Sequence, residues 1–144
     1  MEIIVSNVDS GFHPDYSAND IAGFLYKHLD QFGDPIEDIL KSVDYVMTPN
    51  RGGNIFLAVN EGKIQGACIV NNTGMSGYIP ENILVYIAVD GSLRGQGIGQ
   101  KIMNEVVKRS SGSIALHCEP DNPALKLYQK LGFTSKYLEM RLQK

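Results

Sequence analysis

The sequence has few cysteines and no long apolar run. Its two cysteines, Cys68 and Cys118, lie in apolar stretches without the spacing of metal ligands, so we expect reduced core residues of a cytoplasmic protein and no bound metal. The longest apolar run, residues 83–89, is much shorter than the ~18 residues that span a bilayer and fits one buried strand. The first residues lack a basic segment, so neither secretion nor membrane insertion is expected.

The composition also lacks repeats, low-complexity tracts and linkers. At 144 residues, with 43% hydrophobic and 20% charged residues, the chain has the size and composition of one soluble globular domain. We therefore expect a single domain over residues 1–144.

Runs of basic residues are absent too, although the charge is unevenly distributed. Residues 1–93 carry 12 acidic and 4 basic residues, whereas residues 94–144 carry 4 acidic and 9 basic residues. The basic part has no basic run and no interleaved aromatic residues, so a nucleic-acid partner is not expected. Two interpretations stay open: an uneven solvated surface, or two parts that hold partners of opposite charge.

The hydrophobic pattern alternates between the periods of strands and helices. Helix signals begin at Ser17 (with Asp20), at Asp34-Pro35, after Gly97 and at Asn122, and Gly132 is placed to end the last helix. Strands are predicted over residues 2–6, 55–59, 64–70, 83–89, 113–119 and 136–143, the second and third forming a hairpin around Glu61-Gly62. Because both hairpins and helical crossovers occur, these elements predict an α/β fold with a mixed sheet of about seven strands and about four helices.

Residues 92–99, Ser-Leu-Arg-Gly-Gln-Gly-Ile-Gly, join a predicted strand to a predicted helix. Successive backbone N–H groups at a helix start form an anion site, and glycine lets a phosphate approach closely. A nucleotide P-loop is excluded because no Gly-Lys-Ser/Thr follows. The dinucleotide fingerprint is rejected because Gln100 stands at its third glycine, although Glu119 follows about 20 residues later. The alternative is a tight turn packed on the sheet.

Two motifs carry a resemblance to a known family. Arg94-Gly95-Gln96-Gly97-Ile98-Gly99 resembles the Arg/Gln-x-x-Gly-x-Gly/Ala motif of the GCN5-related N-acetyltransferase (GNAT) superfamily. Residues 122–133, Asn-Pro-Ala-Leu-Lys-Leu-Tyr-Gln-Lys-Leu-Gly-Phe, are similar to the family's N-x-x-A-x-x-L-Y-x-x-x-G-F pattern, with one residue instead of two between Asn122 and Ala124. The resemblance is close over residues 83–133, whereas the first 80 residues match only in the order of their elements.

The resemblance implies acetyl-coenzyme A as the co-substrate. The amides of residues 95–99 (Gly95, Gln96, Gly97, Ile98 and Gly99) would hold its pyrophosphate, with Arg94 in support. The strand before the loop would pair with the pantetheine arm through the backbone of Ile87, Ala88 and Val89, and one of those amides would stabilise the oxyanion. Asn122 would cap the following helix and also contact the cofactor.

The resemblance also places two groups for acid–base chemistry. Tyr128 matches the general acid that protonates the leaving thiolate, its alternative being a core aromatic on the stripe of the last helix. Glu81, thirteen residues before Arg94, is the candidate base, its alternative being an exposed loop acid. Glu119, His117 or water are the reserve bases. His28 is interpreted as a core residue, and an acetyl-Cys118 intermediate is disfavoured because the family transfers directly.

The predicted function is thus acetyl transfer to a primary amine of a small molecule or peptide in a ternary complex. The alternatives are a different acyl donor, or a module that binds or senses acyl-coenzyme A without turnover. The acidic N-terminal part predicts a cationic acceptor; its acids are Asp15, Asp20, Asp30, Asp34, Glu37, Asp38 and Asp44. Monomer and homodimer stay open.

Overall fold

A computed structural model describes all 144 residues as one sheet with helices on both faces. The strands are β1 (Glu2–Ser6), β2 (Gly53–Asn60), β3 (Lys63–Asn72), β4 (Asn82–Val89) and β5 (Ile114–Leu116). They lie in chain order; the first four are antiparallel and β5 runs parallel to β4. The sheet is therefore mixed, as predicted.

The helices are α1 (Ala18–His28), α2 (Ile36–Met47), α3 (Ile98–Arg109) and α4 (Leu125–Lys130). The predicted start of α1 is confirmed: the Ser17 side chain accepts from the Asp20 amide, and Asp20 accepts from the Ser17 amide. Gly132 ends α4 as predicted, because the Phe133 amide donates to the Tyr128 carbonyl and the Gly132 amide to the Gln129 carbonyl.

The sheet separates two hydrophobic cores. On one face α1 and α2 bury residues such as Ile21, Leu25 and Val43 against strand residues that include Ile69. On the other face α3 and α4 pack against the opposite strand residues, which include Phe56. Successive strand side chains point to opposite faces, so each strand contributes to both cores. No helix is long and apolar enough to cross a bilayer.

The prediction of about seven strands is wrong, because the sheet has five. Residues 136–143 form no strand, and both sides of their alternating pattern are exposed: Tyr137 is 80% and Leu138 88% accessible. The predicted strand 113–119 is reduced to the three residues of β5, which pair only with Asn82–Leu84. Beyond Leu84 and Leu116 the two segments no longer pair, so the parallel ladder ends there although the β4 edge stays free.

Two helix starts also differ from prediction. Asp34 does not cap α2: the helix begins at Ile36, Pro35 is its N-cap residue, and no side chain caps it. Asn122 does not cap a helix that begins at Pro123, because α4 begins at Leu125. Its side chain instead accepts a hydrogen bond from the Ala124 amide at 2.9 Å and so holds the turn that precedes α4.

The middle of β4 departs from regular pairing. On the β3 side, Tyr86 pairs with Ile69 and Leu84 with Val70, so Val85 is an extra, bulged residue. On the other side, β4 pairs with β5 only up to Leu84. The rest of β4 therefore has one paired edge and one free edge.

Candidate active site

The free edge of β4 lies just before the glycine loop. The Asp90 amide donates to the Gln65 carbonyl of β3, so by the alternation of a ladder the backbone groups of Ala88 also face β3. The N–H and C=O groups of Ile87 and Val89 then face the free edge. Of the three residues predicted to bind the cofactor arm, two present backbone hydrogen-bonding groups to an added strand.

The glycine loop turns from β4 into α3 with its first amides unused. Gly95 and Gly97 have φ of +82° and +83°, and a Cβ at either would meet no protein atom within 4 Å. Packing therefore does not select glycine at these two positions, whereas the left-handed backbone does. The first helical hydrogen bond is from the Lys101 amide to the Gly97 carbonyl, and no side chain caps α3.

The amides of Ile98, Gly99 and Gln100 are consequently free at the positive end of the helix dipole. Gly99 differs from the other two loop glycines, because a Cβ there would stand 3.3 Å from the Leu127 side chain. Its small size lets α3 pack against α4. The loop thus has the features of a phosphate cradle: free amides, a helix N-terminus and no side chain in the way.

Arg94 is tied to α1 instead of pointing along the loop. Its guanidinium donates to the His28 carbonyl at 2.8 Å and to the Asp30 carboxylate at 3.3 Å. The His28 ring accepts a hydrogen bond from the Gly91 amide at 3.1 Å and stacks near Phe24. His28 and Arg94 therefore fasten the loop to the C-terminal end of α1, which fixes the height of the loop above the sheet.

Tyr128 lies in the second core beside the free edge. It is 5% exposed, shares its core with Ile87 and Val89, and its hydroxyl donates no hydrogen bond within the chain. Burial, with smaller contributions from the nearby Cys68 and Cys118 thiols, raises the pKa of the phenol above its ordinary value. Tyr128 thus shares a core with the side chains of the free-edge residues, and its phenol keeps its proton at neutral pH.

Glu81 lies at the other end of β4. Its carboxylate accepts hydrogen bonds from the Ser113 amide at 2.8 Å and the Gly77 amide at 3.1 Å. These bonds, that of Ser113 first, hold the pKa of the carboxyl below its ordinary value. Ile87 lies six positions further along the chain than Glu81, which is about 20 Å at ~3.3 Å per residue of strand. The structure does not bring Glu81 to the free edge.

The reserve bases and Cys118 stand after β5. His117 and Glu119 are exposed, and neither side chain makes a hydrogen bond or ion pair within the chain. Cys118 is a half-buried free cysteine whose burial raises the pKa of its thiol, which makes it a poor nucleophile. Cys68 is also free, and it is fully buried.

The hydrogen-bonded pair of Tyr86 and Asp34 was not predicted from the sequence. The Tyr86 hydroxyl of β4 donates to the Asp34 carboxylate at 2.5 Å, which joins the segment between α1 and α2 to the strand that has the free edge. Burial first, then this hydrogen bond and the charges of Asp34 and Asp38, raise the pKa of the phenol. The signal in the sequence was Tyr86 itself, because a buried tyrosine within an apolar run usually has a hydrogen-bond partner for its hydroxyl.

Comparison with known proteins gives the same assignment. The family model described as acetyltransferase (GNAT) domain matches residues 51–135, more than half of the chain. No curated protein matches the chain in sequence.

Solved structures match over nearly the full length. One is a ribosomal-protein-alanine N-acetyltransferase from Brucella melitensis biovar Abortus 2308, 16% identical over 100% of both chains with a TM-score of 0.66. A second is a putative acetyl transferase from Pyrococcus furiosus, 19% identical over 99% of this chain and 100% of that one, with a TM-score of 0.65. A third is the aminoglycoside N-acetyltransferase AAC(6')-Iy in complex with CoA, 20% identical over 99% and 93%, with a TM-score of 0.69. These likenesses show the fold.

Proposed function

Because the chain belongs to the acetyltransferase (GNAT) domain family, we propose that it transfers an acetyl group from acetyl-coenzyme A to a primary amine of a small molecule or peptide. The observation that carries this proposal is the free edge of β4, which leads directly into a glycine loop with unused amides. An extended ligand that ends in phosphates fits the two features in order, first the free edge and then the loop amides. Transfer occurs directly within a ternary complex.

Backbone groups hold the cofactor. Ile87 and Val89 bind the arm as an added strand would, and the amides from Gly95 to Gly99 bind the pyrophosphate. Acetyl-coenzyme A supplies the acetyl group as a thioester when it is bound. Arg94 acts from outside this cradle: its bonds to the end of α1 keep the loop in place. Asn122 keeps its amide nitrogen for the cofactor, since its oxygen already binds Ala124.

Tyr128 is the proposed general acid. Its hydroxyl oxygen holds a proton at neutral pH because burial raises its pKa, and no group of the protein competes for that proton. The same core holds Ile87 and Val89, so the proton is delivered beside the edge where the thioester is bound. Protonation of the coenzyme A sulfur as the thioester bond breaks lets it leave as the thiol, which is a better leaving group than the thiolate.

The proton of the attacking amine has several possible acceptors. Glu81 is the base that the family resemblance proposes, but its bonds to Ser113 and Gly77 occupy the carboxylate and weaken it as a base. His117 and Glu119 are exposed and unbonded after β5, and a water molecule is the fourth candidate. A pH series on Glu81→Gln, described below, decides whether Glu81 belongs in this role.

We further propose a cationic acceptor and a cytoplasmic enzyme. The first 93 residues carry the excess of acidic groups, and six of their twelve acids lie on α1, α2 and the segment between them. We place the acceptor on this side of the sheet. A surface of one sign concentrates ligands of the other. The two unpaired cysteines agree with a reducing compartment.

The test is incubation of the protein with labelled acetyl-coenzyme A and pooled primary amines, with mass spectrometry of the products. Acetylated amine with release of free coenzyme A supports the proposal. Coenzyme A binding without turnover of any amine would instead indicate a sensing module. Turnover with a longer acyl donor only would assign a different acyl group.

A further inference from the structure

A cavity of about 590 Å³ lies between the end of α1 and the start of α2. Tyr26, Lys27, Asp30 and Asp34 are among its lining residues. Its two carboxylates differ in their partners: Asp30 accepts from the Arg94 guanidinium, whereas Asp34 makes no ion pair. The only hydrogen bond to the Asp34 side chain comes from the Tyr86 hydroxyl. Of the two carboxylates that line the cavity, Asp34 is thus the one without an ion-pair partner.

Tyr86 connects this cavity to the proposed reaction site. It follows the bulged Val85 and directly precedes Ile87, whose backbone groups face the free edge. Its ring is buried against α1 and α2, and only its hydroxyl reaches the carboxylate. Bulges re-aim side chains next to active sites, and here the bulge turns two successive residues, Val85 and Tyr86, to the same face.

Charged groups of both signs lie around Asp34. The pKa of Arg141 in the C-terminal tail is raised, first by its hydrogen bond to Glu139 and further by the charges of Glu139 and Asp34. Asp34 therefore lies near the Arg141 guanidinium without forming an ion pair with it, since Arg141 is paired with Glu139. Asp38 adds a negative charge that acts on the same Tyr86 hydroxyl. Lys27, the one basic residue that lines the cavity, makes no ion pair.

We propose that Asp34, held in position by Tyr86, binds an ammonium group of the acceptor other than the attacking amine. This inference rests on the proposed function. A carboxylate beside an amine favours its charged form, and a charged nitrogen has no lone pair with which to attack the thioester. The nitrogen at Asp34 is therefore an anchor and cannot be the nucleophile. The acceptor carries at least two amino groups, as in a diamine, a polyamine or an aminosugar.

The experiment compares α,ω-diaminoalkanes of increasing length with the 1-aminoalkanes of equal length. For the wild type, kcat/KM is expected to favour the diamine by roughly tenfold, the scale of a hydrogen bond to a charged group. Asp34→Asn should remove this preference, mainly through the KM of the diamine, because diamine and monoamine then bind without the anchor. Asp44→Asn is the matched control: it removes the same charge from an exposed position of α2 away from the cavity and should retain the preference.

Tyr86 is a positioning residue, and its variant has a distinct signature. Tyr86→Phe keeps the buried ring and frees the carboxylate, so KM for the diamine should rise while kcat changes little. Combined with Asp34→Asn it should add nothing, since both changes act on one contact. A fall in kcat for diamine and monoamine alike would assign Tyr86 a merely structural role and overturn this part.

Direct binding separates this inference from the proposed function. Calorimetry of 1,5-diaminopentane with the coenzyme A complex should show binding that Asp34→Asn weakens about tenfold and Asp44→Asn does not. Such binding without turnover keeps the anchor and refutes the acetyltransferase. Turnover with equal kcat/KM for diamines and monoamines keeps the acetyltransferase and refutes the anchor. Absence of diamine binding, or binding indifferent to Asp34, also overturns the anchor.

Discussion

The two sides of the proposed site are built from different groups of the chain. On the cofactor side the hydrogen-bonding groups are backbone: the free edge at Ile87 and Val89, and the amides after Gly97. On the acceptor side they are side chains from distant segments, since Asp34 and Tyr86 are 52 residues apart. A backbone site requires particular conformations and so leaves glycines in the sequence. A side-chain site requires only that the fold bring two residues together, which leaves no local pattern.

Disrupting the cofactor side should have the largest effect. Gly97→Asp places a carboxylate and a Cβ at a left-handed position in the cradle, so coenzyme A binding should be abolished in calorimetry. The strain itself should cost about 1–3 kcal/mol of the free energy of unfolding. Gly74→Asp is the control, because Gly74 has a similar φ of +76° with open space around it, far from the loop. Equal coenzyme A affinity of the two variants would contradict a phosphate site.

The next largest effect is expected at the proposed acid. Tyr128→Phe keeps the packing and removes the hydroxyl, so kcat should fall ~10²–10⁴-fold while coenzyme A affinity changes little. Tyr16→Phe is a matched control, since Tyr16 is 7% exposed in the first core and its hydroxyl also makes no hydrogen bond. Unchanged turnover of Tyr128→Phe, with chemistry shown to be rate-limiting, would return Tyr128 to a core role.

A smaller effect should distinguish acceptors by charge. If the acidic N-terminal part concentrates the substrate, kcat/KM for cationic amines should exceed that for acidic amino acids several-fold at low salt. Raising the salt should reduce this ratio, because screening weakens the attraction between exposed charges. Steady-state rates at two ionic strengths measure it. A preference for acidic acceptors would show that the charge asymmetry has no part in binding.

The smallest effect concerns Glu81 and separates a structural from a chemical role. The pKa of its carboxyl is lowered in the folded state, so its stabilisation is present above the ordinary pKa of 4.5 and is lost as the pH falls through the folded-state pKa. Glu81→Gln should therefore lower the Tm at pH 7, with a difference from wild type that disappears in acid. Thermal unfolding between pH 3 and pH 7 measures this difference.

The same variant also tests the base. A base at Glu81 predicts that Glu81→Gln lowers the rate most near neutral pH, where amines are largely protonated, and less at high pH. A ratio of variant to wild-type rates that does not change with pH would exclude Glu81 as the base. Its role would then be structural, through the hydrogen bonds from the Gly77 and Ser113 amides. Glu119→Gln is the parallel test of a reserve base, since Glu119 is exposed and its side chain makes no hydrogen bond or ion pair.

The sequence predicted the elements whose signals are local. The capping box at Ser17, the helix end at Gly132 and the loop from Arg94 all depend on residues within a few positions of one another. The closing strand at residues 136–143 was wrong because an alternating pattern describes the spacing of side chains and does not show whether the segment pairs with the sheet. The role of Asp34 was missed because its partner, Tyr86, lies in an apolar run that reads only as a buried strand.

The central claim is that backbone groups on the cofactor side hold coenzyme A, and residue-resolved amide hydrogen exchange by NMR tests it most directly. On addition of coenzyme A, the amides of Ile87, Val89 and Ile98 should become protected. The Ala88 amide, which faces β3, should not change. Binding that protects none of these amides, or the absence of binding, would contradict the claim.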